Sequence, residues 1–343
     1  MQKKFRKLAK VALVLVYLVI AAGAVVRMTG SGMGCPDWPK CFGYYIPPTE
    51  ASQLAWQPEK SYNEGQVIII SETLKVAKKD FTTATEFSEA NWEPYTKHDY
   101  AIFNPWHTWI EFINRLMGAL AGLATLILAF SALRFWREAK KITLLSWLVV
   151  FGMGFQAWLG ATVVYSVLEP VKITVHMIMA LIIVALLLYI IHMVRPSPNS
   201  SSKGNGIMPL LTLTLIVTLA QIIMGTQVRQ FVDSQIDIFG ETAKHKWLAD
   251  VDWKFYVHRS FSIIVVLLNL LLARQIFRNE LSFDKIKWVL TLLTLEVASG
   301  IAMYYLDFPF ASQPLHLILA SLLFGVQFYL FLEVIYSRRI LRA

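Results

Sequence analysis

The chain has 343 residues, of which 56% are apolar and only 16% charged, with a formal net charge of +9. The apolar residues cluster in runs of about twenty, the length that crosses a bilayer, which excludes a soluble globular core. The basic excess sits in the connections between these runs and has no basic-aromatic pattern, which argues against a nucleic-acid partner.

The first run, Leu8 to Val26, follows Lys3, Lys4, Arg6 and Lys7. It is long for a signal peptide, and no small-residue cleavage site leads into a soluble domain, so it is predicted to be a retained first span. A polar outer segment follows, Met28 to Pro105, rich in Trp and Tyr and without a repeat. It is too short and irregular to assign as a domain, and residues 42–105 receive no role. Seven further spans are predicted: Trp106 to Leu133, Ile142 to Tyr165, Val171 to Val194, Ile207 to Val228, Phe255 to Ile276, Ile286 to Tyr305 and Ser312 to Tyr336.

Eight spans place both termini on one side. That side collects the basic N-terminus, Arg134, Arg137, Lys140 and Lys141, then Arg195 and Lys203, then Arg274, Arg278, Lys285 and Lys287, and last Arg338, Arg339 and Arg342. Lys and Arg in short connections mark the cytoplasmic face. The expected class is an all-α integral membrane protein with eight transmembrane helices, multi-pass in the inner (cytoplasmic) membrane with both termini cytoplasmic.

A Pro, Ser, Gly and Asn linker, residues 196–206, divides the chain into halves 1–195 and 207–343. The halves match in order. Gly23 and Arg27 in span one correspond to Gly225 and Arg229 in span five, and Asn114-Arg115 in span two to His258-Arg259 in span six. Gln156-x-x-x-Gly160 corresponds to Glu296-x-x-x-Gly300, and His176 to His316. Units with an even number of spans share one orientation, so two four-helix bundles related by a pseudo-two-fold along the membrane normal are predicted.

His107, His176, His258 and His316 all lie within about two turns of the outer end of an even-numbered span. His192 is at the cytoplasmic end, and His98 and His245 are in loops. Ionisable groups in spans face the bundle interior or a polar cavity. A single such histidine is as readily a structural hydrogen bonder; four at one level point to ligation. Imidazoles on facing helices are axial ligands to haem iron, and the flat ring suits an interhelical slot. Arg27, Arg115, Arg229 and Arg259, at the outer ends, would pair with propionates, the alternative being that they snorkel to the interface. A zinc site is disfavoured, since no single helix carries a His-x-x-x-His or His/Cys cluster.

His107, Glu111, Asn114 and Arg115 share one helix face, continued by Gly118 and Gly122. The glycines admit either another helix or a planar ring. Glu111 is a candidate acid, base or proton carrier, with an ion pair to Arg115 as the structural alternative. Cys35 and Cys41 are the only cysteines. In an oxidising compartment a disulfide is the default for this pair, a structural staple in preference to a redox centre.

VVRMTGSGMGCPDWPKC after span one, WIEFINRL opening span two, His176, HRSFS in span six and His316 together resemble the haem A synthase family over all eight spans. The resemblance implies oxidation of the C8 methyl of haem O, through hydroxylation, to the formyl group of haem A for terminal oxidases. It implies a haem b cofactor between His258 and His316, with Arg229 and Arg259 beside it. The substrate haem would lie in the first half, with His176 on its iron, Glu111 at the family's essential acidic position, and His107, Asn114, Arg27 and Arg115 around it. The family commonly has a histidine where this chain has Asn114, which leaves His107 near the substrate without an assigned ligand role. Partners implied are a haem O synthase and oxidase assembly proteins; the electron acceptor is unassigned. A two-haem membrane cytochrome b relaying electrons between quinone and a partner fits the histidines equally but gives no reason for the Asn114/His258 asymmetry. A proton- or metal-binding transporter is disfavoured by the lack of Gly/Pro-interrupted helix centres.

Overall fold

The computed structural model describes residues 2–195, 206–240 and 242–340. Of the predicted linker only Gly206 falls within these; Lys203, Arg342 and the side chains of Arg338 and Arg339 lie outside them.

Eight helices are long and apolar enough to cross a membrane: α1 (Gln2–Met28), α2 (Pro105–Ala132), α3 (Lys140–Tyr165), α4 (Pro170–Met193), α5 (Met208–Phe239), α6 (Trp253–Arg278), α7 (Lys285–Tyr305) and α8 (Ser312–Ile340). The chain is an all-α, multi-pass integral membrane protein. Its surface agrees, with large apolar side chains such as Val14, Phe151, Ile216 and Ile263 left more than half exposed, as a lipid-facing bundle requires.

Each predicted span lies on one helix, and the largest difference is in α5. The apolar run ends at Val228, yet the helix continues to Phe239 and is closed by Gly240 at φ 82°. Hydropathy falls there, but an i,i+4 ion pair between Arg229 and Asp233, 2.6 Å, supports the extra turns.

Helix packing closes two rings. α1 packs on α2 and α4, with α2 on α3 and α3 on α4; the same circuit recurs through α5–α6, α6–α7, α7–α8 and α5–α8. The rings meet along α4–α8, flanked by α1–α8 and α4–α5. At one end of the bundle Arg195, just past α4, and Lys285 of α7 converge on Glu333 of α8, at 3.2 and 3.6 Å. The other end carries the segment between α1 and α2. That segment differs from the irregular loop expected from its sequence. It holds a two-stranded sheet, β1 (Ser61–Tyr62) with β4 (Phe81–Thr82), and a three-stranded sheet in the order β2 (Val67–Ile70), β3 (Thr73–Ala77), β5 (Trp92–Pro94), all pairs antiparallel. Tyr62, Ile68, Ala77 and Trp92 form one small core of its own, and Cys35, Cys41, Phe42, Leu54, Val67 and Leu74 another. Strands this short carry too little alternation to be recognised before the fold is known.

Gly325 of α8 sets the α1–α8 approach: a Cβ there would overlap the Tyr17 hydroxyl, which donates to Ser321 O at 3.4 Å. Gly325→Ala is expected to lower the melting temperature in detergent, and adding Tyr17→Phe, which removes the clashing oxygen, to restore most of it. Equal melting of Gly325→Ala and wild type would contradict this packing.

Candidate functional site

Helix α2 begins at a strong cap. The Asn104 side chain accepts from Trp106 N and His107 N, and Pro105 supplies the first helical φ. One turn further in, Glu111 is only 4% exposed, and its Oε2 accepts from Cys35 N at 2.8 Å while its Oε1 pairs with the Arg115 guanidinium. Arg115 also donates to Asp37 O (2.7 Å), Lys40 O (2.9 Å) and Cys35 O (3.2 Å). Cys35 and Cys41 form a buried disulfide within the turn so held. Gly34 lies against the α2 backbone at His107 and Thr108, where a Cβ has no room, and Thr108 Oγ1 donates to Gly34 O at 2.7 Å. Asp37 closes the turn by accepting from Phe42 N and Gly43 N at 2.6 and 2.8 Å. Burial pushes its carboxyl above the usual carboxylate range, against the pull of those N–H groups and of Arg115. The outer segment is thus bound to α2 through Glu111 and Arg115 together.

Four glycines organise the next layer. A Cβ on Gly160 of α3 would stand 3.4 Å from His176 Cε1, one on Gly225 of α5 3.2 Å from His258 Cε1, and one on Gly300 of α7 3.4 Å from His316 Cε1. On α1 the same role falls to Gly23, whose Cβ would stand 3.8 Å from Asn114 Oδ1. Each odd helix therefore offers a bare patch of backbone to one polar side chain of the following helix, three imidazoles and one amide. One turn before two of these glycines, Gln156 Nε2 donates to His176 O and Gln221 Nε2 to His258 O, both at 3.0 Å. On α7 the corresponding Glu296 reaches His316 Nε2 at 3.2 Å, and Ser299 Oγ meets His316 Nδ1 at 2.8 Å. On α1 the position is Val19. Gln221 was legible beforehand, since Gln221-x-x-x-Gly225 repeats the Gln156-x-x-x-Gly160 spacing; Ser299 carried no such signal.

A cavity of about 1610 Å³ opens between α1, α2, α3 and α4 and extends past the outer end of α5 to Trp247 and Phe308, larger than the 300–1,000 Å³ usual for small ligands. It brings together His107, Glu111, Asn114, Arg115 and His176, with Arg27 at its rim; His258 and His316 are not in its wall. Asn114 Oδ1, His176 Nδ1 and His258 Nδ1 are buried without a hydrogen-bond partner among the described residues. Buried polar atoms left so are open to a ligand. Together with the glycine behind each imidazole edge, they fit a planar iron macrocycle; His316, whose ring nitrogens meet Ser299 and Glu296, would exchange Glu296 for such a ligand. The arginines have protein partners. Arg27 holds Asp233 Oδ2 at 2.6 Å, and Arg229 holds Asp233 Oδ1 at 2.6 Å while donating to Arg27 O at 3.0 Å. Arg259 is exposed, stacked over the Tyr304 ring at 5.2 Å. Asp233 escaped the sequence reading because it lies beyond the apolar run.

Eight spans, three half-buried histidines each backed by a glycine, and a buried carboxylate at the wall of a large cavity define a multi-pass membrane protein with a candidate ligand site between its helices. The cytochrome oxidase assembly protein family matches this chain over residues 6–92 and 65–328, stretches that overlap in the outer segment, and the chain belongs to that family. A protein of Shewanella oneidensis named heme A synthase is 28% identical over 220 residues, covering 64% of this chain and 54% of its own length. Proteins of the same name from Wolbachia pipientis wMel and Flavobacterium johnsoniae are 22% and 23% identical, each over 92% of this chain and 88% and 93% of their own. The chain thus spans about half the length of the Shewanella relative and most of the other two.

Arg115→Ala is expected to release the turn that carries the disulfide and leave Glu111 an unpaired buried charge, a loss of about 3–5 kcal/mol. The check is the rate at which dithiothreitol reduces Cys35–Cys41 in the folded protein: a several-fold rise is expected, and an unchanged rate would contradict the fastening described.

Proposed function

We propose that this chain is a haem A synthase, converting the C8 methyl of haem O through hydroxylation to the formyl group of haem A for terminal oxidases. Membership of the oxidase assembly family supports the reading. The observation that carries it is the asymmetry of the glycine-backed layer: three imidazoles and one amide, the amide beside Glu111 in the large cavity.

In this reading the halves 1–195 and 207–343 are repeats related by a pseudo-two-fold along the membrane normal. The helix contacts support it, because exchanging α1–α4 with α5–α8 returns the same set. The second half holds a resident haem b on His258 and His316. When bound, it supplies an electron relay. The first half receives haem O as substrate, with His176 on its iron side, and Asn114 in place of a second imidazole makes that grip weaker and exchangeable. Glu111 is fixed at the cavity wall by Cys35 N and Arg115, and each carboxylate oxygen keeps a free lone pair on which to take a proton from the reacting carbon's side. Arg115 holds that carboxylate in place, and the disulfide-closed turn with the outer segment excludes water. His107 lines the same cavity one turn outward. Arg27, Arg229 and Arg259 present positive charge at the propionate end, and Arg115, engaged with Glu111 and the turn, adds its charge from behind them. Both termini are cytoplasmic, in the inner membrane. A haem O synthase and oxidase assembly proteins are the expected partners.

His258→Ala and His316→Ala are each expected to remove the stable haem b spectrum from the purified protein; full retention in either would overturn the cofactor assignment. Glu111→Gln keeps an acceptor for Cys35 N but cannot carry the proton, so haem O or its hydroxylated product should accumulate in extracted pigments. Normal haem A output would remove Glu111 from the chemistry. Asn114→His places a fourth imidazole against Gly23, where there is room, and is expected to increase the haem retained by the first half while lowering turnover. Unchanged retention would disconnect the asymmetry from exchange.

A further inference from the structure

Where the cavity leaves the histidine layer it does not end. It runs inward along α2 past Gly118 and Gly122 to Leu126, about 12 Å of helix, and along α3 past Gly154 to Met153 and Val150. A Cβ added at Gly118, Gly122 or Gly154 would meet nothing within 4 Å, so these glycines border open space and are not helix contacts. Gly152, two residues from Gly154, is the contrast, because there a Cβ would press on Met179 and Ile183 at 3.1 and 3.3 Å. Ala119, Gly154 and Ala157 line the same cavity and are exposed on the outside of the bundle, so the space opens sideways between α2 and α3 toward lipid.

The second half closes this route. In the register that sets Asn114 against His258 and Gln156 against Glu296, Gly118 becomes Ser262, Ala119 becomes Ile263 and Gly122 becomes Val266, while Gly154 becomes Thr294 and Ala157 becomes Val297. All five small residues of the first half are replaced by larger ones. The two haems of the proposed function differ in the same sense: haem O carries a long apolar prenyl chain where haem B carries a vinyl group.

We infer that the cleft between α2 and α3 holds the prenyl chain of the substrate haem and is the doorway through which that haem slides in from the bilayer. The inference rests on the haem A synthase reading. Its occupant is argued from continuity, since the cleft is one space with the site of His176 and Glu111, where the buried His176 Nδ1 and Asn114 Oδ1 lack partners among the described residues. Lipid is as apolar as the cleft, so a prenyl chain gains here by close packing and not by leaving water, and the room beside the small residues favours prenylated over unprenylated haem. The larger residues deny the second half the same choice.

The test gives the first half the residues of the second: Gly122→Val on α2 and Gly154→Thr on α3, singly and together. Both point into open space, so the fold has room for either, and agreement between variants on different helices guards against a local defect. Purified full-length protein carrying its resident haem is titrated with haem O and, separately, with haem B. The expected result is haem O binding weakened at least about tenfold, about 1.4 kcal/mol, with haem B binding changed by less than about a factor of two. Equal weakening of both haems, or of neither, overturns the cleft assignment. So does release of a co-purified phospholipid by the variants with haem O binding intact, which would make the cleft a lipid site. A wild-type protein that takes up no haem O at all would overturn the functional reading itself, an outcome distinct from wild type and variants binding haem O alike.

Discussion

A carboxyl group and a guanidinium placed inside an apolar helix have no water to solvate them, and this chain solves the problem with backbone. Arg115 spends its donors on three carbonyls of the turn after α1 and on Glu111, while Glu111 takes the N–H of Cys35. Neither group is stable there unless that turn is in place, and the turn is seated on α2 by the same contacts together with Thr108 Oγ1 on Gly34 O. The position of the outer segment, the closure of the cavity beneath it and the orientation of the carboxylate are thus consequences of one buried network. Such a network is costly to break from either side, because each partner removed strands the other. The disulfide keeps the turn short enough for its carbonyls to converge on one guanidinium.

The glycine-backed layer follows a different constraint. An imidazole whose Cε1 edge abuts a neighbouring helix needs that helix to lack a side chain, and the three cases lie at Gly160, Gly225 and Gly300. A donor one turn away then fixes the helix that carries the imidazole, through Gln156 and Gln221. On α1 and α2 both devices are reduced together, Val19 standing for the glutamine and Asn114 for the histidine. Joint loss of two cooperating residues in one of four equivalent places is hard to reconcile with four equal ligands and agrees with a site relaxed for exchange. At His316 Ser299 and Glu296 meet the two ring nitrogens, so in the proposed reading Ser299 keeps the ring oriented while the nitrogen on Glu296 is the one a ligand would take. The layer thus grades from held to free.

The helices and their number were legible because bilayer spans state themselves in hydropathy, a signal that needs no tertiary context. The same signal misled at α5, where helix and apolar run part company at Arg229 and Asp233 lies past the end of the reading. Glu111, Asn114 and His176 were recognised by position and do line one cavity. What their spacing left open was the partner. Arg115 was read among the cations that meet a ligand, whereas the structure commits most of its donors to Asp37, Lys40 and Cys35. Carbonyls of an irregular turn leave no pattern in sequence, and strands of two to five residues such as β1 and β3 leave almost none.

Arg27 and Arg229 show how two matched positions can build something that neither helix contains alone. Each lies four residues beyond a layer glycine, one turn outward, and in a single half each would be a lone cation at a helix end. Across the junction of α1 and α5 they share Asp233, and Arg229 also donates to the carbonyl of Arg27. Two guanidiniums around one carboxylate retain a net positive charge, and the carboxylate is what lets them stand so close without repelling. An acidic group approaching from the ring of either half therefore meets cations already oriented, with the ordering cost met in folding and not in binding. In the proposed reading those acidic groups are propionates of two haems, and the cluster between them is common to both sites. That would tie the resident and the exchangeable ligand to one ionic knot, so that the halves have reason to stay in a single chain.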